Sequence, residues 1–108
     1  MKIFIQDIPV NIISNNELIN TSLFDIIIDC NDGEPDFHNL KGVVFIQNAD
    51  KKKLDNFLIL LKQNEFKKLE EITFSVEEYD SVIKFFKSKY NIIKAAGGLV
   101  LKGGEVLL

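Results

Sequence analysis

A chain of 108 residues with 46% hydrophobic and 27% charged residues has the composition of an ordinary globular protein and the length of one domain with a single core. Its net charge of -3 contains no arginine at all, so it lacks both the basic footprint of a nucleic-acid binder and the residue best suited to bidentate phosphate contact. One cysteine closes no internal disulfide, no apolar run approaches the roughly 18 residues a bilayer span needs, and no signal-peptide layout opens the chain, so neither a membrane nor a nucleic-acid partner is expected and the setting is the cytoplasm.

Lys2 to Ile5 and Ile8 to Ile13 are β-rich runs separated by Gln6-Asp7, the spacing of a tight hairpin, with Pro9 placing it at an edge or near the turn. Ser14-Asn15-Asn16-Glu17 has capping-box form, but no apolar period follows, so 14–23 reads as a loop or one helical turn. The apolar centre of 24–30 predicts a strand covered on both faces, ended by Asn31-Asp32-Gly33-Glu34-Pro35. Gly42 to Gln47 predicts a second strand of the same kind. Asp50 is the expected N-cap of a helix whose stripe is Leu54, Phe57, Leu58 and Leu61. Leu60 widens the apolar face and Asn64 is the expected stop.

Glu71 to Val76 alternates, which predicts a strand covered on one face only. Ser75 and Glu78 form a capping box before a second amphipathic helix with Tyr79, Val82, Ile83, Phe86 and Tyr90 on one side. A last strand is expected from Ile92 to Leu101, followed by a turn at Gly103-Gly104 and a short apolar strand. The reading is therefore α/β: a mixed sheet of about five or six strands, an N-terminal β-hairpin at one edge, and two crossover helices over about 51–63 and 77–89.

No residue emerges as catalytic, cofactor-binding or metal-ligating. Asp29, Asp32, Glu34 and Asp36 with His38 have the oxygen-rich character of a hard-cation loop, yet placing Gly33 at the glycine of a calcium loop puts Ile28 at the first ligand position. A solvated turn is the simpler reading. Cys30 and His38 are the lone thiol and lone imidazole, and nothing in their spacing builds an activated nucleophile. Gly97-Gly98 and Gly103-Gly104 do not form a phosphate loop, because Lys102 precedes its glycines instead of following them. Lys51 to Lys53 with Lys67 and Lys68 read as a solvated face. Leu60, Phe66 and Phe85 lie off the main stripes and would form a docking or self-association patch if exposed together.

The last fourteen residues, Ala95-Ala96-Gly97-Gly98-Leu99-Val100-Leu101-Lys102-Gly103-Gly104-Glu105-Val106-Leu107-Leu108, resemble the opening hairpin of a Nudix hydrolase domain. Tyr90 to Lys94 running into Ala-Ala-Gly-Gly, and the Lys-Ile-Phe-Ile start, resemble the N-terminal extension of some bacterial Nudix proteins. The resemblance implies an accessory α/β domain over 1–94 and the first hairpin of a truncated catalytic domain over 95–108. It also implies a downstream Nudix domain as partner, and a parent enzyme that uses Mg²⁺ against nucleoside-diphosphate-linked or related diphosphates. Glu70-Glu71 is a decoy for the family's metal-binding box, lacking its preceding Arg-Glu and its closing glycine, so this chain alone holds no catalytic residue and no cofactor. An apolar final strand is expected to pair with its own sheet or with a second copy as a homodimer. The competing expectation is a complete small interaction module without catalysis.

Overall fold

The computed structural model describes the backbone of residues 1–33, 35–63, 66–95 and 98–106, and the side chains up to Tyr90 apart from that of His38. β1 (Lys2–Ile5) and β2 (Ile8–Ser14) form the expected hairpin. Gln6 and Asp7 at its tip have φ of 51° and 66°, the backbone of a turn whose twist matches that of the strands. The hairpin is not at an edge. β2 continues in parallel onto β5 (Leu69–Val76), and β1 continues in parallel onto β7 (Gly98–Val106), so the hairpin occupies the middle of a seven-stranded sheet ordered β3-β4-β5-β2-β1-β7-β6. Pro9 is tolerated there because the pairing of β2 with β5 begins only at Val10, one residue beyond the missing N–H.

Four neighbouring strands are parallel: β3 (Ile26–Asp29), β4 (Gly42–Ala49), β5 and β2. The steps β3 to β4, β4 to β5 and β5 to β6 (Tyr90–Ala95) all run the same way along the sheet. Right-handed connections must then lie on one face. Phe37 from the first connection, Phe57 from α1 (Lys51–Gln63) and Phe74 from β5 meet on that face, with ring centroids 5.2 to 6.5 Å apart. α2 (Tyr79–Lys89) packs beside α1 and buries Val82 and Phe86. The step from β2 to β3 runs backwards, so residues 15–25 cross the opposite face, where Phe24 stacks on Phe45 at 4.9 Å.

This two-sided wrapping corrects two expectations. β5 is central, not half-covered: Thr73 and Ser75 are buried, and their hydroxyls accept hydrogen bonds from Asn11 Nδ2 at 3.1 Å and the Asn48 amide at 3.1 Å. Polar alternation therefore reflects satisfied hydroxyls instead of solvent. β3 is an edge strand with Ile27 exposed, so its apolar run marks neighbourhood with residues 15–25 and not full cover. β4, in contrast, buries Val44, Phe45 and Ile46 in succession, the mark of a strand enclosed on both sides.

Asp50 caps α1 as expected, its Oδ1 accepting from the Lys53 amide at 2.9 Å, and Leu54, Phe57, Leu58 and Leu61 are all buried. The predicted stop at Asn64 lies outside the described residues. The Ser75–Glu78 capping box does not form, because Ser75 is spent on Asn48 and α2 begins at Tyr79 without a side-chain cap. Tyr90 closes the helical period yet already belongs to β6. Leu60 and Phe66 are half-buried against the core and Phe85 is half-buried, so the expected shared patch is not among the exposed apolar residues, which are Leu18, Leu23, Ile27 and Ile59.

β6 and β7 pair antiparallel with Ala95 facing Gly98, so the chain reverses between those residues and not at Gly103-Gly104. The second glycine pair lies inside β7, where the register slips between Tyr90 and Ile92 and the surplus residues bulge; glycine suits a bulge because it tolerates the distorted backbone. β7 pairs with β1 at Ile3↔Leu99 and Phe4↔Val100, so this segment does join its own sheet.

Gly42 starts β4 at φ 71°, with its amide on the Lys68 carbonyl at 2.7 Å. A Cβ there would collide with the carboxylate of Asp25, which accepts from the Val43 amide at 2.9 Å. Gly42→Ala is expected to destabilise the fold by about 1–3 kcal/mol through the left-handed backbone and the displaced Asp25. Chemical denaturation of the two proteins side by side measures this, and Gly33→Ala, at a position with open space around it, is the control.

Candidate functional site

The carboxyl ends of β2, β3, β4 and β5 open onto one crevice of about 590 Å³. It sits where the chain leaving β2 passes to one face of the sheet and the chain leaving β5 passes to the other, the position at which open α/β sheets form clefts. Each lining residue comes from the first turn beyond a strand: Asn15 after β2, Asn31 after β3, Asn48 to Lys52 around the end of β4, and Glu77 and Glu78 after β5.

The centre of the crevice wall is Asn48. It has φ 56°, a left-handed conformation that asparagine adopts more readily than most residues, and it sits where the pairing of β4 with β5 slips between Ile46 and Ala49. Its Nδ2 donates to Asp29 Oδ1 at 2.8 Å, and its Oδ1 accepts from Asn15 Nδ2 at 3.1 Å. Asp29 Oδ1 also accepts the Asn31 amide at 2.9 Å. These bonds, the Asn48 side chain first and the Asn31 amide second, hold the Asp29 carboxyl below the usual carboxylate range. Asp50 is held low as well, chiefly by the Lys53 amide. An ionised Asp29 accepts only, so it fixes the direction of the whole relay: Asn48 must turn its amino group to Asp29 and its carbonyl to Asn15.

A second polar cluster ties α1 to the start of β6. Asp55 accepts from the Tyr90 hydroxyl in a very short hydrogen bond and from Lys89 Nζ at 2.7 Å, while Lys62 Nζ lies 4.8 Å from the centre of the Tyr90 ring. Burial, and then Asp55, push the Tyr90 phenol far above its ordinary range. Burial likewise lowers Lys62, with Asp55 opposing. Every member has a partner and no cleft opens at it, so its work is to join elements.

The residues weighed from sequence separate widely. Asp29 stands beneath the crevice, whereas Asp36 accepts from Asn39 and Asp32 belongs to the short helical turn Cys30–Asp32. Glu34 and the His38 side chain lie outside the described residues, as does Gly97. Cys30 is half-buried against the core. Glu71 accepts from Asn11 Nδ2 at 2.7 Å across β2 and β5, which gives the Glu70-Glu71 pair a structural use. Among the described residues no group of three or more His, Cys, Asp or Glu side chains is placed to hold a metal, and no helix is long and apolar enough to cross a membrane. The crevice itself was missed. Asparagines at strand ends read as turn formers, and only the topology brings Asn15, Asn31 and Asn48 together.

Comparison with protein-family models, with curated proteins and with solved structures finds no match.

Proposed function

We propose that this chain is the N-terminal accessory domain of a Nudix-type hydrolase acting on nucleoside-diphosphate-linked or related diphosphates. One observation supports this most: β7, the segment that resembles the start of a Nudix domain, is held between β1 and β6 in the same sheet as the rest of the chain. A strand held on both sides is a rigid lever, so whatever follows it is positioned by the sheet. The accessory domain contributes placement, substrate choice or dimerisation in the cytoplasm, while the downstream domain supplies the Mg²⁺-binding glutamates. Mg²⁺ there neutralises developing phosphate charge and activates water.

Diphosphate hydrolysis with Mg²⁺ tests the reading, using the 108-residue chain and a longer polypeptide that includes the residues encoded after Leu108. The longer chain is expected to release phosphate or a nucleotide from a panel of nucleoside-diphosphate-linked compounds, and the shorter chain to be inert. Turnover by the shorter chain, or an inert longer chain across the panel, overturns it.

A further inference from the structure

The crevice at the strand ends has a chemistry of its own, independent of any downstream domain. Its volume of about 590 Å³ is within the range of small-molecule sites, roughly 300–1,000 Å³. The relay directed by Asp29 spends the donors of Asn15 and Asn48 on each other and on Asp29, and leaves the carbonyl oxygen of Asn15 outside it. Glu77 and Glu78 add only acceptors. Of the two lysines on the wall, Lys51 lies with its ammonium 5.6 Å from the Phe85 ring, which leaves Lys52 as the cation with no such stacking partner in view. Carboxylates thus outnumber ammonium groups on this wall, since Asp50, Glu77 and Glu78 stand against Lys51 and Lys52. Val82, buried at the base, supplies an apolar patch.

An acceptor-rich, net acidic cleft with an apolar base disfavours anions and favours a molecule that donates several hydrogen bonds and presents a C–H face. We infer that the crevice binds a hydroxyl-rich, uncharged or cationic small molecule, of the sugar or amino-sugar class, with Asn15, Glu77 and Glu78 accepting from its hydroxyl or ammonium groups. Asn48 is the positioning residue: it orients Asn15 and closes the relay on Asp29.

Amide NMR titrations of the intact chain with glucosamine, glucose, glucose 6-phosphate and inorganic phosphate test this. Glucosamine and glucose are expected to shift the amides of Asn15, Asn48 and Glu77 along one saturating curve, with glucosamine the tighter and glucose 6-phosphate weaker than glucose by at least about threefold. Asn48→Gly keeps the backbone conformation and is expected to weaken glucosamine at least about tenfold, as loss of oriented hydrogen bonds requires. Glu77→Gln, at an exposed position that does not hold the fold, is expected to weaken glucosamine more than glucose. The inference is overturned if the sugars leave these amides unmoved at high concentration, if phosphate binds there better than glucose, or if both variants bind as the unaltered chain does.

Discussion

Phe74→Ala is expected to lower the free energy of unfolding by about 3–5 kcal/mol, the usual cost of emptying a fully buried aromatic position. Phe74 stands where three parts of the chain meet: its ring contacts Phe57 of α1 and Phe37 of the connection between β3 and β4, and its strand is paired on both sides. Collapse cannot fill the void, because Phe57 and Phe37 are themselves fixed by each other at 5.4 Å. Urea denaturation should show a lower midpoint with an unchanged slope, since the surface exposed on unfolding hardly alters. Phe24→Ala, which removes one partner of a stack on the opposite face from a half-buried position, should cost clearly less. Equal losses at the two sites would mean that the helical face is not the main core.

Asp55→Ala is the second large effect, expected at about 1–3 kcal/mol near neutral pH, and it changes the response to acid. The variant leaves the Tyr90 hydroxyl, on a fully buried residue, without its acceptor, and Lys89 without its ion pair. Burial by itself raises the Asp55 carboxyl, but the hydrogen bonds from Lys89 and Tyr90 outweigh it and hold the group below the ordinary carboxylate range. A folded pKa below the unfolded one means that the ionised form favours folding. That contribution is full above the unfolded value of about 4 and is lost as pH falls through the folded value. Stability measured from pH 7 to pH 2.5 should therefore fall less steeply in Asp55→Ala than in the unaltered chain. Tyr90→Phe, which keeps the ring and Lys89, should cost only about 1 kcal/mol and retain most of the acid response.

The α/β class, both helices and the stripe of α1 were legible because apolar spacing at Leu54, Phe57, Leu58 and Leu61 records a local period that packing then uses unchanged. Asp50 was legible as a cap for the same reason: its bond is made within its own turn. Strand order was not legible. The central place of the β1–β2 hairpin depends on β5 and β7, which lie far along the chain, and no local pattern in Lys2 to Ser14 records them. Thr73 and Ser75 misled because a hydroxyl facing Asn11 or the Asn48 amide is as content in the interior as in water. Gly103-Gly104 misled because the two-residue turn and the bulge call for the same freedom of backbone. At the crevice, three asparagines read singly as turn residues, and their alignment is a property of parallel strands ending at one level.

The seat of β7 between β1 and β6 fixes the order of events as the chain leaves the ribosome. β1 emerges almost first and β7 last, so the outer rim of β1 stays open through nearly the whole of synthesis. An open rim is a template for other extended chains, and its closure depends on the most distant contact the fold contains. Co-translational folding can assemble β2 to β5 with α1, but the sheet is completed only after release of the final segment, which makes nascent chains arrested before Gly98 the species that chaperones meet.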